Sequence, residues 1–225
     1  MATRIDFQAK SGAAASGELA LPEGSGKAPA LVLVQEWWGV NDHIRSLADR
    51  FAKAGFVTLA PDLYHGKTTK DAGEAGQLMQ ALDGMRAMDD LAGASGYLAA
   101  HPRSNGKVGI VGFCMGGAYT LAAASNIPSF AAAAPFYGLP PAERLDPAKM
   151  KAPILAHVAT RDGWVSPPKM QEIAEKVNAH GGAMKVEVYE ADHAFMNDTR
   201  PEVYAPEAAK LAWDRTVAFL HQHLG

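Results

Sequence analysis

Six short apolar runs punctuate the chain, and helical patterns fill the spaces between them. Ala30–Val34 (ALVLV) is apolar at every position, as expected of a strand covered on both faces. Phe56–Ala60, Lys107–Val111, Phe130–Phe136, Ile154–Val158 and Met184–Tyr189 are further strand-like runs. Asn41–Ala54 places Ile44, Leu47, Ala48 and Phe51 on one helical face and stops at Gly55. Glu74–Ala100 has a helical pattern weakened by Gly84, Gly93 and Gly96. An alanine-rich helical segment runs from Gly117 to Ala124. Pro168–His180 is amphipathic up to Gly181-Gly182, and Pro206–Leu224 closes the chain with proline in the first turn. Strands alternating with helices predict a mostly parallel central sheet covered by helices on both faces. The polar, glycine-bearing Gly66–Gly76 reads as a mobile loop. No repeat or linker divides the chain, so residues 1–225 are read as one α/β domain.

Composition removes several functional classes. Lys+Arg 21 against Asp+Glu 24 gives a net charge of −3, without the basic face a nucleic-acid binder needs. Hydrophobic residues at 48% and charged residues at 20% fit a packed globular chain, not a disordered one. One cysteine excludes an internal disulfide and a cysteine-based zinc site. The start, MATRIDFQAKSG, lacks the apolar core of a secretory signal, and no run approaches the ~20 apolar residues of a membrane span. A cytoplasmic monomer with no nucleic-acid or membrane partner is therefore expected.

The chemistry is concentrated where one apolar run meets a helix. Lys107–Val111 leads into Gly112-Phe113-Cys114-Met115-Gly116, the spacing of G-x-S-x-G with cysteine as nucleophile. Small residues two before and two after permit a tight strand-to-helix turn that projects the central side chain. A thiol there also gains from the positive end of the helix dipole, which favours thiolate. A lone cysteine is often only a small buried side chain; the strand before and helix after argue for the nucleophile.

An acyl-transfer nucleophile needs a base and a group to orient it. Asp162 follows the strand ILAHVA, and His193 follows KVEVYE, each just past a strand's carboxyl end. Cys, Asp and His thus occur in the chain order of α/β-hydrolases, at strand ends that converge in an open sheet. Asp162 before Gly163 would otherwise be a turn residue, and Asp192 adjoins His193 too closely to orient it. The other histidines are worse placed. His43 starts a helix, His101 and His180 end helical segments, His157 lies inside a strand, and His65 follows a strand where it could line a pocket. His221 and His223, two apart, do not share a helix face as paired ligands would. Glu36, in Gln35-Glu36-Trp37-Trp38-Gly39 after ALVLV, is a carboxylate at a strand end in an apolar stretch. Close to Cys114 it would oppose a permanent thiolate unless it takes the thiol proton itself. Backbone N–H groups of the same loop are candidates for an oxyanion hole.

Together these residues resemble the dienelactone hydrolase family, of α/β-hydrolase fold. The resemblance runs from about Ala30 to the end of the chain. It rests on Gln35-Glu36-Trp37-Trp38-Gly39, Pro61-Asp62-Leu63-Tyr64, Gly112-Phe113-Cys114-Met115-Gly116-Gly117, Asp162, His193-Ala194-Phe195, and the tail Asn197-Asp198-Thr199-Arg200-Pro201 with Tyr204. It implies Cys114 as nucleophile, His193 as base, Asp162 as orienting acid and Glu36 as acceptor of the thiol proton. It also implies an oxyanion hole from the N–H groups of Met115 and Trp37, a thioester acyl-enzyme, and no metal or organic cofactor. The small-molecule substrate would be an ester or lactone.

One departure bears on the substrate. Members specialised for dienelactone hold its carboxylate with two arginines, one before the long middle helix and one shortly after the histidine. Here Asp71-Ala72-Gly73 and Ala194-Phe195-Met196-Asn197 occupy those regions, with Arg86 and Arg200 offset nearby. Losing a charge-assisted clamp favours a neutral or bulkier ester or lactone. Its pocket is expected to be lined by Trp37, Tyr64, Tyr137, Trp164 and Phe195. The same triad would also serve a thioesterase or cysteine peptidase, and loss of a triad member would instead mark a non-catalytic binding module.

Overall fold

The computed structural model describes residues 1–225. Its strands are β1 (Thr3–Gln8), β2 (Ala14–Ala20), β3 (Ala28–Val34), β4 (Val57–Pro61), β5 (Ser104–Phe113), β6 (Phe130–Phe136), β7 (Ile154–Arg161) and β8 (Met184–Asp192). They form one sheet in the order β1-β2-β4-β3-β5-β6-β7-β8. Neighbours from β4 to β8 are parallel, while β2 pairs antiparallel with both β1 and β4. The helices are α1 (Asp42–Lys53), α2 (Ala72–Ala81), α3 (Gly84–Ala100), α4 (Met115–Asn126), α5 (Pro167–Ala179) and α6 (Pro206–Leu224). Two 3₁₀ turns, Ala142–Arg144 and Pro147–Lys149, follow β6.

The fully apolar β3 is buried on both faces. Ala30, Val32 and Val34 join one core with residues of α3, α4 and α5; Leu31 and Leu33 join another with α1 and α6. This period-2 division is what places helices on both sides of the sheet. From β3 the chain crosses through α1 to β4 on one side, then through α2 and α3 to β5 on the other. That reversal opens a crevice beyond the carboxyl ends of β3 and β5, where open α/β sheets hold their ligands. No helix is long and apolar enough to cross a membrane.

Three features differ from the sequence reading. The β1–β2 hairpin was not foreseen, because TRIDFQ and AASGELA mix polar and small residues as an antiparallel edge does. The segment Glu74–Ala100 is two helices, since Leu82 is extended and Asp83 caps a new start by accepting from Met85 N at 2.9 Å and Arg86 N at 3.2 Å. The supposed mobile loop Gly66–Gly76 is tied down. Thr69 N–H donates to the Trp38 carbonyl at 3.1 Å, and Asp71 caps α2 by accepting from Glu74 N at 2.8 Å.

Candidate active site

The turn from β5 into α4 sets the site. Cys114 sits at its apex with φ 55° and ψ −117°, a backbone conformation that a non-glycine residue holds only under constraint from its surroundings. A Cβ on Gly112 would stand 2.2 Å from the Gly116 carbonyl oxygen, and one on Gly116 would stand 2.3 Å from that of Val34. Glycine at both positions is therefore what lets the turn close against the end of β3. Tyr137 (φ 37°) and Ala194 (φ 66°) are also left-handed, and both line the same cavity as Cys114. Strain of this kind collects where geometry serves a site rather than the fold.

His193 follows β8, and its Nδ1 lies 2.7 Å from Asp162 Oδ2, beyond β7. The carboxylate is an acceptor only, so Nδ1 carries the hydrogen and Nε2 is left for Cys114. The other carboxylate oxygen, Oδ1, accepts the backbone N–H groups of Trp164 at 2.8 Å and Val165 at 3.1 Å. Burial pushes the Asp162 carboxyl up, but the His193 bond and these two N–H donors outweigh it and hold it below its ordinary value. For His193, burial disfavours the cation, yet the bonds to Asp162 and Cys114 raise it to about 10. Tyr137 packs edge-on to the imidazole at 5.1 Å between centroids, and Trp164 stacks on it at 6.0 Å.

Glu36 is buried beside this group. Its Oε2 accepts from Asn197 Nδ2 at 2.7 Å, while Oε1 makes no hydrogen bond. Asn197 is itself oriented, because its Oδ1 accepts from Thr199 N at 3.1 Å and Thr199 Oγ1 at 2.6 Å. Burial raises the Glu36 carboxyl to about 7, against lowering by the Asn197 bond and the charges of His193 and Arg200. The sequence marks Asn197 as part of the family-like tail and as the place of an absent arginine, but its bond to Glu36 spans 161 positions and has no local signature.

These groups open into a cavity of about 620 Å³. Trp37, Tyr137 and Trp164 line it as expected, with Met115, Tyr119 and Leu139. Tyr64 and Phe195 do not. Tyr64 is buried with its hydroxyl on Met115 Sδ at 3.3 Å, and Phe195 is wholly buried behind Tyr137 at 5.3 Å. Both back the wall rather than form it. Arg86 points away, bonded to Asp90 at 2.9 Å and to the Ala14 carbonyl at 2.6 Å. Arg200 does reach the cavity, but it lies over Trp38 and is held by Glu202 at 2.8 Å. Arg144, on the turn after β6, also lines it and was not foreseen. His193 is the cavity's one histidine; His65 pairs instead with Asp90 at 3.3 Å. No group of three or more His, Cys, Asp or Glu is arranged to hold a metal.

The model of the dienelactone hydrolase family matches residues 16–224. The chain belongs to the dienelactone hydrolase family. It is 37% identical over 233 residues to the protein usf of Aquifex pyrophilus, with 100% of both chains covered. It is 31% identical to a carboxymethylenebutenolidase of Pseudomonas sp. strain P51, covering 96% of this chain and 93% of that one. Among solved structures, a dienelactone hydrolase-like promiscuous phosphotriesterase from metagenomic libraries superposes with a TM-score of 0.86 at 26% identity, covering 100% of this chain and 99% of the other. The sheet and helices described above are thus the family's α/β-hydrolase fold.

Proposed function

We propose that this member of the family hydrolyses an ester or lactone through a thioester on Cys114, with His193 as base and Asp162 as its orienting acid. The observation that carries the reading is the 2.7 Å bond between His193 Nδ1 and Asp162 beside a strained, glycine-flanked Cys114. The Cys114 thiolate attacks the substrate carbonyl carbon, and the π electrons move onto oxygen. The N–H groups of Met115 and Trp37 receive that oxyanion. Met115 opens α4, so its N–H has no acceptor within the helix, and such donors are worth about 3 kcal/mol each to a transition state. Collapse expels the alkoxide, which takes a proton from the His193 imidazolium, the form its raised value favours, and leaves as the alcohol. In a lactone this oxygen stays tethered to the acyl chain. His193 then takes a proton from water, whose hydroxide attacks the thioester and releases the acid and the thiolate.

Glu36 supplies the activating carboxylate. A carboxyl held at about 7 by burial exchanges protons near neutral pH, so it accepts the thiol proton as substrate enters and returns it to the thiolate once the acid has left. The mostly apolar wall of Trp37, Tyr137, Trp164 and Leu139 favours a neutral or bulky body at the carbonyl end. Cis- and trans-dienelactone should be compared with neutral p-nitrophenyl acetate, using wild type and Cys114→Ala. Cys114-dependent turnover of the neutral ester supports the reading; unchanged turnover in Cys114→Ala would overturn it. Efficient opening of dienelactone would show that another cation takes the place of the missing arginines.

A further inference from the structure

The cavity that holds Cys114 does not end at its apolar wall. A second cavity, of about 480 Å³, lies between α3, α4 and the Ala142–Arg144 turn, and the two share Tyr119, Ala122 and Arg144. Arg144 spans the junction. Its guanidinium atoms stand 2.6 Å from where a Cβ of Gly84 would be, so the side chain reaches from its own turn to the start of α3 on the opposite wall. Gly84 carries no side chain to obstruct that reach. No carboxylate pairs with this guanidinium. Glu143, beside it on the turn, makes no ion pair, and Asp89 in the outer cavity is occupied by Ser11 N at 3.0 Å. The other arginine of the catalytic cavity, Arg200, is already paired with Glu202.

An apolar trough that starts at a nucleophile and ends at an uncommitted guanidinium selects by shape and by charge. Arginine presents a planar fork of donors that matches a carboxylate. We propose that Arg144 is a specificity residue for elongated esters carrying a carboxylate at the end remote from the scissile bond. The apolar body would lie along Tyr119 and Ala122, and the terminal carboxylate would meet Arg144 at the junction of the two cavities. This rests on Cys114 being the nucleophile. Position distinguishes the contact from a clamp close to the reacting carbonyl, because Arg144 stands where the catalytic cavity gives way to the outer one.

The test uses matched pairs that differ only in the remote charge. The acyl arm compares p-nitrophenyl hexanoate with mono-p-nitrophenyl adipate; the alcohol arm compares hexyl acetate with the acetyl ester of 6-hydroxyhexanoate. Wild type should favour the carboxylate member of one pair by roughly tenfold in kcat/KM, the scale of one charge-assisted bond at a partly solvated site. Arg144→Ala should bring that ratio to about one through KM of the charged ester, and Arg144→Lys should restore part of it. Arg200→Ala should keep the ratio. No preference in either pair, a ratio that survives Arg144→Ala, or one lost only in Arg200→Ala would overturn the proposal. Full turnover in Cys114→Ala would instead defeat the nucleophile assignment, while the paired ratios would still decide the role of Arg144.

Discussion

Two histidines on the β7–β8 side of the sheet have opposite chemistry, and their partners account for it. His157, inside β7, is fully buried between two hydroxyls: Nδ1 lies 2.8 Å from Tyr189 Oη and Nε2 lies 2.9 Å from Thr216 Oγ1. Thr216 donates its own hydrogen to the Ala212 carbonyl at 2.8 Å, so it accepts from Nε2–H, and Nδ1 accepts from Tyr189. Both nitrogens are used in the neutral ring. Burial, with the charge of Arg215 adding to it, lowers this histidine to about 3. His193 is also largely buried, but its Nδ1 faces a carboxylate and its other nitrogen a thiol. There the cation is favoured, and the ring is raised to about 10. Burial works against charge at both sites; an ionised partner at one and neutral partners at the other decide the outcome.

The largest expected effect is at the charged site. His193→Gln should lower kcat/KM on a neutral ester by about 10⁴-fold, the scale for losing one member of a nucleophile–base unit. Steady-state rates with purified variant check this, and a loss under about tenfold would make His193 another structural histidine. His157→Leu should do the reverse. It leaves the buried Tyr189 hydroxyl hydrogen without its acceptor and should lower stability by about 2 kcal/mol, with kcat/KM within about twofold of wild type. It should also flatten the acid limb of stability. A group at about 3 in the folded chain and 6.5 in the unfolded one costs stability as pH falls below 6.5, because only the unfolded chain takes the proton. Urea midpoints at pH 7 and pH 4.5 would show both effects.

Glu36 sharpens the contrast with an effect confined to a narrow pH window. Its carboxyl stays protonated to about 7 when folded but ionises near 4.5 when unfolded. The folded chain therefore holds an extra proton between those values, and stability falls as pH rises through that window. The full difference is on the order of 3 kcal/mol. Glu36→Gln should remove this slope, so the variant gains on wild type between pH 5 and pH 8. Parallel stability curves would contradict the buried, unpaired state of this carboxyl.

Cys114, Asp162, His193 and Glu36 could be picked out of the sequence as candidates because each stands just past a strand end. Cys114 has glycines at two before and two after, Asp162 precedes a turn, and Glu36 follows an unbroken apolar run. The inner parallel strands β3, β4 and β6 were readable because burial on both faces leaves them almost wholly apolar. The β1–β2 hairpin was not, since an edge with one face toward solvent is written in mixed residues. The break between α2 and α3 depended on Asp83 acting as a cap, a signal masked by helix-compatible residues on either side. Tyr64 and Phe195 show the limit at the site itself. Position near a catalytic residue does not say which way an aromatic ring points, and here each packs behind the wall. The bond of Asn197 to Glu36 and the reach of Arg144 to α3 were not readable, because both arise from contacts between distant parts of the chain.

With Cys114 as nucleophile, the acyl group rests on its sulfur between the two half-reactions. Wild-type protein turning over p-nitrophenyl acetate should be quenched in acid, digested and mapped by mass spectrometry, with Cys114→Ala as the parallel sample. An acetyl group confined to the peptide bearing Cys114, and absent from the variant, is the predicted result. Acetyl on another side chain with Cys114 unmodified, or undiminished turnover in Cys114→Ala, would contradict the account.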